Sequence, residues 1–172
     1  MAMHLVHCSM VSCSRYVPVR VLNLLITDFF KDISHSGDGG IHGQVLRNNG
    51  FQGVNATLDA YGAVGDVTLA VDFDNPLSRA IQRSLKVSVP EGATGRVGFS
   101  NEGYWGIRVI QATYTTRFYV KGQYEGDVTV TLVGKASGTE YGSKTLSIKS
   151  NSTAYTYVET TIDVTQAPDG NN

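Results

Sequence analysis

Charge is scarce in this 172-residue chain, and what there is cancels: 14 Lys and Arg stand against 15 Asp and Glu, a formal net charge of −1. That balance excludes the basic footprint of a nucleic-acid binder and the polybasic patch of a protein held on an anionic membrane. Cysteine is scarcer still. Cys8 and Cys13 are the only two, both near the N-terminus, so no disulfide staples the body of the fold, whose core must hold by burial alone. With His4 and His7 they loosely imitate a metal cluster, but the spacing follows no zinc pattern. Neither a metal nor another cofactor is expected. No apolar run reaches the roughly 18 residues that span a bilayer. The run Val21–Ile26 is short, interrupted by Asn23, preceded by Arg15 and Arg20, and followed by no small-residue cleavage site. It makes a poor secretion signal.

What the chain has in quantity is Gly, 19 in all, and Tyr, 9 in all, among many Thr and Ser. Such a composition suits an extracellular β-domain better than a helical enzyme, whose faces are rich in Glu, Lys, Ala and Leu. From Leu58 to Val164 the pattern is strand and turn, repeatedly. Val67, Leu69 and Val71 alternate with polar or small neighbours, as do Leu85, Val87 and Val89; then Val97 and Phe99; and Trp105, Ile107 and Val109. Tyr114, Thr116, Phe118 and Val120 share one face, followed by Val128, Val130 and Leu132, by Leu146 and Ile148, and by a last strand from Tyr155 to Val164. About eight short strands separated by turn residues predict an antiparallel β-sandwich or jelly roll over residues 58–166.

Ahead of it, Val21–Ile26 runs on towards Phe29, Phe30 and Ile33, as a strand buried on both faces would. Ser36–Gly40 then breaks the chain, and Asp38 is placed to cap a short helix with Ile41, Val45 and Leu46 on its apolar side, ending at Asn48-Asn49-Gly50. Strand, glycine turn and helix open an α/β unit, but no second parallel strand follows. Residues 167–172 have the composition of a linker or turn.

Chemistry is harder to find. Most of the acids, Asp74, Glu91, Glu102, Glu125, Asp127 and Glu140 among them, fall in turns with no spacing that pairs two carboxyls across a bond. His35, Ser36 and Asp38 are too close together on a glycine turn to meet as a triad. Gly37–Gly40 lacks the Lys and Ser/Thr of a phosphate loop. Asp72, Asp74 and Asn75 offer oxygens for calcium without a calcium-loop pattern, and a turn explains them better. No catalytic residue is assigned. The stronger signal is Gly103–Val109. Read as a strand, it puts Trp105, Ile107 and Val109 on the core face and Tyr104, Gly106 and Arg108 outside. An exposed Tyr beside an Arg is a sugar platform: the ring stacks on C–H groups while the polar neighbour bonds hydroxyls. The alternative is a solvated face. Asn55 and Asn151 begin N-x-Ser/Thr sequons and are candidate glycosylation sites.

Longer motifs carry a resemblance. Asp32-Ile33-Ser34-His35-Ser36-Gly37-Asp38-Gly39-Gly40-Ile41, Leu46-Arg47-Asn48-Asn49-Gly50-Phe51-Gln52, Asp74-Asn75-Pro76-Leu77-Ser78, the stretch Val97–Ile107, Thr139-Glu140-Tyr141-Gly142-Ser143 and Ala167-Pro168-Asp169-Gly170-Asn171-Asn172 follow one another in order. From residue 28 to 172 the chain resembles the N-terminal part of eukaryotic-type α-L-arabinofuranosidases of glycoside hydrolase family 51. Residues 1–27 match nothing in that pattern.

The resemblance implies that residues 28–57 are the first strand and helix of an incomplete (β/α)8 barrel. Residues 58–166 would then be an inserted sandwich like a carbohydrate-binding module. The family's two catalytic glutamates would lie beyond Asn172, leaving this chain inactive on arabinosides by itself. The missing barrel would be an intramolecular partner, and without it Leu24, Leu25, Phe29, Phe30, Ile41, Val45 and Leu46 would form an exposed apolar patch. Lys31 stands where the family has a Glu facing the arabinose, and Ser34 where Asn is usual. The implied ligand is an arabinose-containing plant polysaccharide, arabinoxylan or arabinan, and the implied location of the parent protein is extracellular. A sandwich that serves only as a structural insertion, binding no sugar, is the alternative.

Overall fold

The computed structural model describes residues 46–51, 56–104, 106–107, 109–135 and 137–166, together with the strand backbones of 4–5, 9–10 and 20–31. Among the described residues there are eleven strands: β1 (His4–Leu5), β2 (Ser9–Met10), β3 (Arg20–Lys31), β4 (Tyr61–Val64), β5 (Thr68–Asp72), β6 (Ser84–Val89), β7 (Gly98–Asn101), β8 (Ala112–Lys121), β9 (Tyr124–Val133), β10 (Glu140–Ser150) and β11 (Thr156–Val164). There is no helix among the described residues. One sheet runs β10-β9-β1-β7-β4, with β2 also on β9, and the other runs β11-β8-β3-β6-β5. Every strand pairing is antiparallel.

The connectivity is that of a jelly roll. β8 and β11 pair in one sheet while the hairpin β9–β10 between them lies in the other. Likewise β4 and β7 pair in the first sheet while β5–β6 lies in the second. Each four-strand unit therefore turns two corners from sheet to sheet. At one such pair of corners the chain is tied to itself: the Ser150 hydroxyl donates to Gly122 O at 2.8 Å, and Gly122 N–H donates to Asn151 O at 2.8 Å. Gly122, with φ of 143°, makes a backbone turn that a side chain would resist.

The alternation read from the sequence fills the space between the sheets. Leu85, Val87 and Val89 from β6, Tyr114, Phe118 and Val120 from β8, Val128, Val130 and Leu132 from β9, Ile148 from β10 and Ile162 and Val164 from β11 are all buried. Each such side chain contributes about 1.5–3 kcal/mol of burial free energy relative to exposure. Tyr114 is wholly buried, and its hydroxyl accepts the Ile110 N–H at 2.9 Å, which keeps the polar tip satisfied. The antiparallel sandwich expected from Leu58 onward is what forms.

The strand expected from Val21 on towards Ile33 is present as β3, and it pairs within the second sheet. β3 hydrogen-bonds to β6 on one side (Leu22 opposite Val87) and to β8 on the other (Leu24 opposite Val120), with a register shift between Ile26 and Asp28. A central position gives β3 a hydrogen-bonded neighbour on both edges. β3, ahead of Leu58 in the chain, thus pairs with two strands of the sandwich. Leu46, expected in an exposed apolar patch, is instead fully buried and shares the core with Phe51. The helix expected at 39–48 falls on 39–45, outside the described residues, and on 46–48, which are irregular chain. The segments 1–3 and 167–172 and the candidate triad and glycine turn around 35–40 also lie outside the described residues.

Candidate functional site

Asn101, the last residue of β7, has no exposed surface. A buried amide must find partners, and this one binds three backbone groups. Its Oδ1 accepts the Gly103 N–H at 2.9 Å and the Arg47 N–H at 3.3 Å, and its Nδ2 donates to Arg47 O at 2.9 Å. The side chain thus joins the segment 46–51 to the turn after β7. Tyr61 lies opposite Asn101 across β4–β7, and its ring packs near Phe51 (centroids 5.2 Å) and Phe99 (6.0 Å). Burial pushes the Tyr61 phenol well above its ordinary range, opposed by hydrogen bonding with Asn101.

The backbone around this anchor is strained. Asn48, Phe51 and Ala60 all have positive φ, at 58°, 52° and 73°, each a conformation costing about 1–2 kcal/mol for an L-residue. Compensating bonds hold them there. Asn48 Nδ2 donates to Thr57 O at 2.8 Å and to Asp59 O at 3.2 Å, and Arg83 Nη1 donates to Phe51 O at 2.7 Å. Backbone strain of this kind persists where surroundings over-determine it.

Tyr104 sits at the outer tip of the turn that Asn101 anchors, 51% exposed. The turn is closed by Gly106 N–H donating to Glu102 O at 3.1 Å, by Glu102 N–H donating to Ala60 O at 2.9 Å, and by Lys135 Nζ on Glu102 Oε1 at 3.0 Å. Gly103 and Gly106 take φ of 67° and 98°, so the chain here cannot continue as a strand. The strand read for Gly103–Val109 is replaced by a tight turn. Even so, Ile107 and Val109 are buried and Tyr104 is exposed, as that reading placed them. Trp105 and Arg108 lie outside the described residues, so the proposed partnership of Tyr104 with Arg108 has only its Tyr member here.

Other candidates separate. Asp72 Oδ1 accepts the Asp74 N–H at 2.7 Å and Oδ2 accepts Asn75 Nδ2 at 3.0 Å, so both oxygens of the suggested calcium ligand are taken up by a turn. Among the described residues no three His, Cys, Asp or Glu gather as metal ligands. Lys31 ends β3 opposite Tyr114, and only its backbone is described. Asn55 lies outside the described residues. Asn151 is exposed at a sheet-crossing corner, where its Oδ1 accepts from Thr153 N–H (2.9 Å), Thr153 Oγ1 (2.7 Å) and Ala154 N–H (2.9 Å).

A second concentration of aromatic rings was not legible beforehand. On the outer face of β8 and β11, Tyr119 lies opposite Tyr157 (centroids 5.2 Å) and near Tyr155 (6.5 Å, edge-on). Lys121 Nζ is 5.7 Å from the Tyr155 ring centroid. The Tyr157 hydroxyl donates to Glu159 Oε2 at 2.5 Å, and Arg117 Nη2 meets Glu159 Oε1 at 3.1 Å. The Tyr157 bond, then the Arg117 bond, hold the Glu159 carboxyl below its usual value, and the same bond raises the Tyr157 phenol.

The comparisons agree with the resemblance. No family model matches the chain. Among curated proteins it is 55% identical over 141 residues to the probable α-L-arabinofuranosidase A of Aspergillus flavus, which covers 82% of this chain and 22% of that protein. It is 51% identical over 148 residues to the counterpart of Aspergillus terreus (86% and 24%) and 51% over 142 residues to α-L-arabinofuranosidase A of Aspergillus kawachii (83% and 23%). The chain thus spans about a quarter of the length of these relatives. Among solved structures, that of the arabinose-bound MgGH51 α-L-arabinofuranosidase superposes with a TM-score of 0.67 and 34% identity, over 89% of this chain and 27% of that one. Sequence and fold together show that this chain belongs, as a region, to the fungal α-L-arabinofuranosidases of glycoside hydrolase family 51.

Proposed function

We propose that the sandwich serves an α-L-arabinofuranosidase by holding arabinose-containing plant polysaccharide, and that this chain alone does not hydrolyse arabinosides. The observation that carries the reading is the identity of 50% or more to Aspergillus α-L-arabinofuranosidases. Tyr104 supports it, as an exposed ring on a turn anchored from within. Such a ring is pre-organised to stack on the C–H face of a sugar without losing freedom on binding. The family's catalytic glutamates are assigned beyond Asn172 and its barrel is the partner of this region. Lys31, where the family has Glu, removes an acceptor for arabinose hydroxyls. The parent protein acts outside the cell, with exposed Asn151, and Asn55 beside it in the proposal, as glycan acceptors.

Two measurements test this. Incubation of the purified chain with an aryl α-L-arabinofuranoside is expected to release no arabinose; turnover would overturn the assignment of catalysis elsewhere. Affinity electrophoresis through soluble arabinoxylan is expected to retard the chain, and Tyr104→Ala to weaken that retardation. Migration unaffected by arabinoxylan or arabinan would leave the sandwich a purely structural insertion.

A further inference from the structure

We infer that the outer face of β8 and β11 is a second glycan-binding surface, a stripe for an extended polysaccharide that works independently of Tyr104. This rests on the sugar-binding reading above but on different residues. Along the two strands four outward cross-strand pairs follow one another: Tyr157 with Tyr119, Glu159 with Arg117, Thr161 with Thr115, and Asp163 with Thr113. Outward residues recur every second position, so four rows extend over about 20 Å. That is the length of several sugar units, not one.

The chemistry changes along the stripe in the way a polyhydroxylated chain requires. At one end Tyr157, 48% exposed, and Tyr119 offer ring faces for C–H stacking, with Tyr155 edge-on beside them. Next come a carboxylate acceptor and a guanidinium donor, already aligned at 3.1 Å. Then come hydroxyls, Thr113 Oγ1 donating to Asp163 Oδ1 at 2.6 Å. Arg117 and Lys121 balance Glu159 and Asp163, so the stripe has no charge of one sign with which to attract phosphate or nucleic acid.

Another protein surface is the competing occupant. The Arg117 and Glu159 side chains keep 37% and 43% of their surface in water. Covering them with protein would desolvate an ion pair at the centre of the contact, where interfaces are depleted of charge. A glycan leaves such a pair wet and adds hydrogen bonds to it.

The experiment is affinity electrophoresis of the full chain in arabinoxylan and in linear arabinan, with Tyr157→Ala, Glu159→Gln and Tyr104→Ala run in parallel. Thermal melts serve as the folding control, since Tyr157 is exposed and its removal leaves no cavity. Tyr157→Ala is expected to weaken retardation roughly fivefold, and Glu159→Gln by a smaller factor. Both effects should persist in the Tyr104→Ala background. Loss with Tyr104→Ala but none with Tyr157→Ala would overturn the inference while sparing the earlier reading, and would assign this face to packing against protein. A wild-type chain that neither polymer retards would also overturn it, whatever the arabinoside assay shows.

Discussion

Asn101 gives the sharpest test of how this domain is held together. Its amide serves three backbone groups while completely buried, and it ties the strained segment 46–51 to the turn that carries Tyr104. Asn101→Ala strands Arg47 O, Arg47 N–H and Gly103 N–H at once. A buried group left unsatisfied costs about 1–3 kcal/mol. Water entering beside the surface turn recovers part of that, so the sum settles near the low end, about 3–4 kcal/mol. For a chain of this size each kcal/mol moves the melting temperature by about 2–4 °C, which puts the expected drop at roughly 6–16 °C. The comparison is Asn75→Ala, which removes one side-chain bond at 3.0 Å to Asp72 and should cost no more than about 1 kcal/mol. Circular dichroism melts of the three proteins decide it. If Asn101→Ala melts within the shift produced by Asn75→Ala, the amide does not hold the site together and the reasoning fails.

Other expectations follow the same geometry. Gly65→Ala places a methyl 2.2 Å from Arg96 O at a φ of +70°, whereas Gly92→Ala at +84° meets nothing within 4 Å; urea unfolding should show about 1–2 kcal/mol for Gly92→Ala and clearly more for Gly65→Ala, and equal costs would contradict the close approach. Gly142→Ala sets a methyl 2.7 Å from Ile162 Cγ2 and 3.2 Å from Asp163 O, so a loss of about 1–3 kcal/mol is expected from overpacking where β10 meets β11. Because the folded Glu159 carboxyl titrates below its ordinary value, its interaction with Tyr157 and Arg117 is fully present above the unfolded pKa and is lost as pH falls through the folded one. NMR titration of the Glu159 carboxyl should give a midpoint below that of an ordinary glutamate, and one at or above it would refute the bond.

Much of the fold was written in the period-two alternation. The inward residues of β6, β8 and β9 were readable because one face of each strand is apolar and the other is not. Gly103–Val109 imitates that alternation over too short a span, and the contrary signal was two glycines three apart, both at positive φ. Leu46 and Phe51 were misplaced for a different reason. Their burial depends on Asn101, fifty or more positions away, and on left-handed backbone at Asn48 and Phe51 that no local pattern announces. The tyrosine stripe was hidden similarly. Tyr119 and Tyr157 lie nearly forty positions apart, and only the β8–β11 register makes them neighbours.

The tied corners at Gly122, Ser150 and Asn151 also bear on the order in which the chain folds. The first β8–β11 pair to close joins Val120 to Thr156, a span of 36 positions that is slow to find by diffusion. Once the β9–β10 hairpin has formed, its length drops out of the search and the remaining path is about fourfold shorter, which lowers the closure cost by about 1.2 kcal/mol. The corners are the hinge through which local order becomes long-range order. Val130→Ala in β9 should therefore slow refolding more than Ile162→Val in β11 does, per kcal/mol of stability lost. Equal slowing in stopped-flow refolding would mean that the two sheets assemble without that sequence.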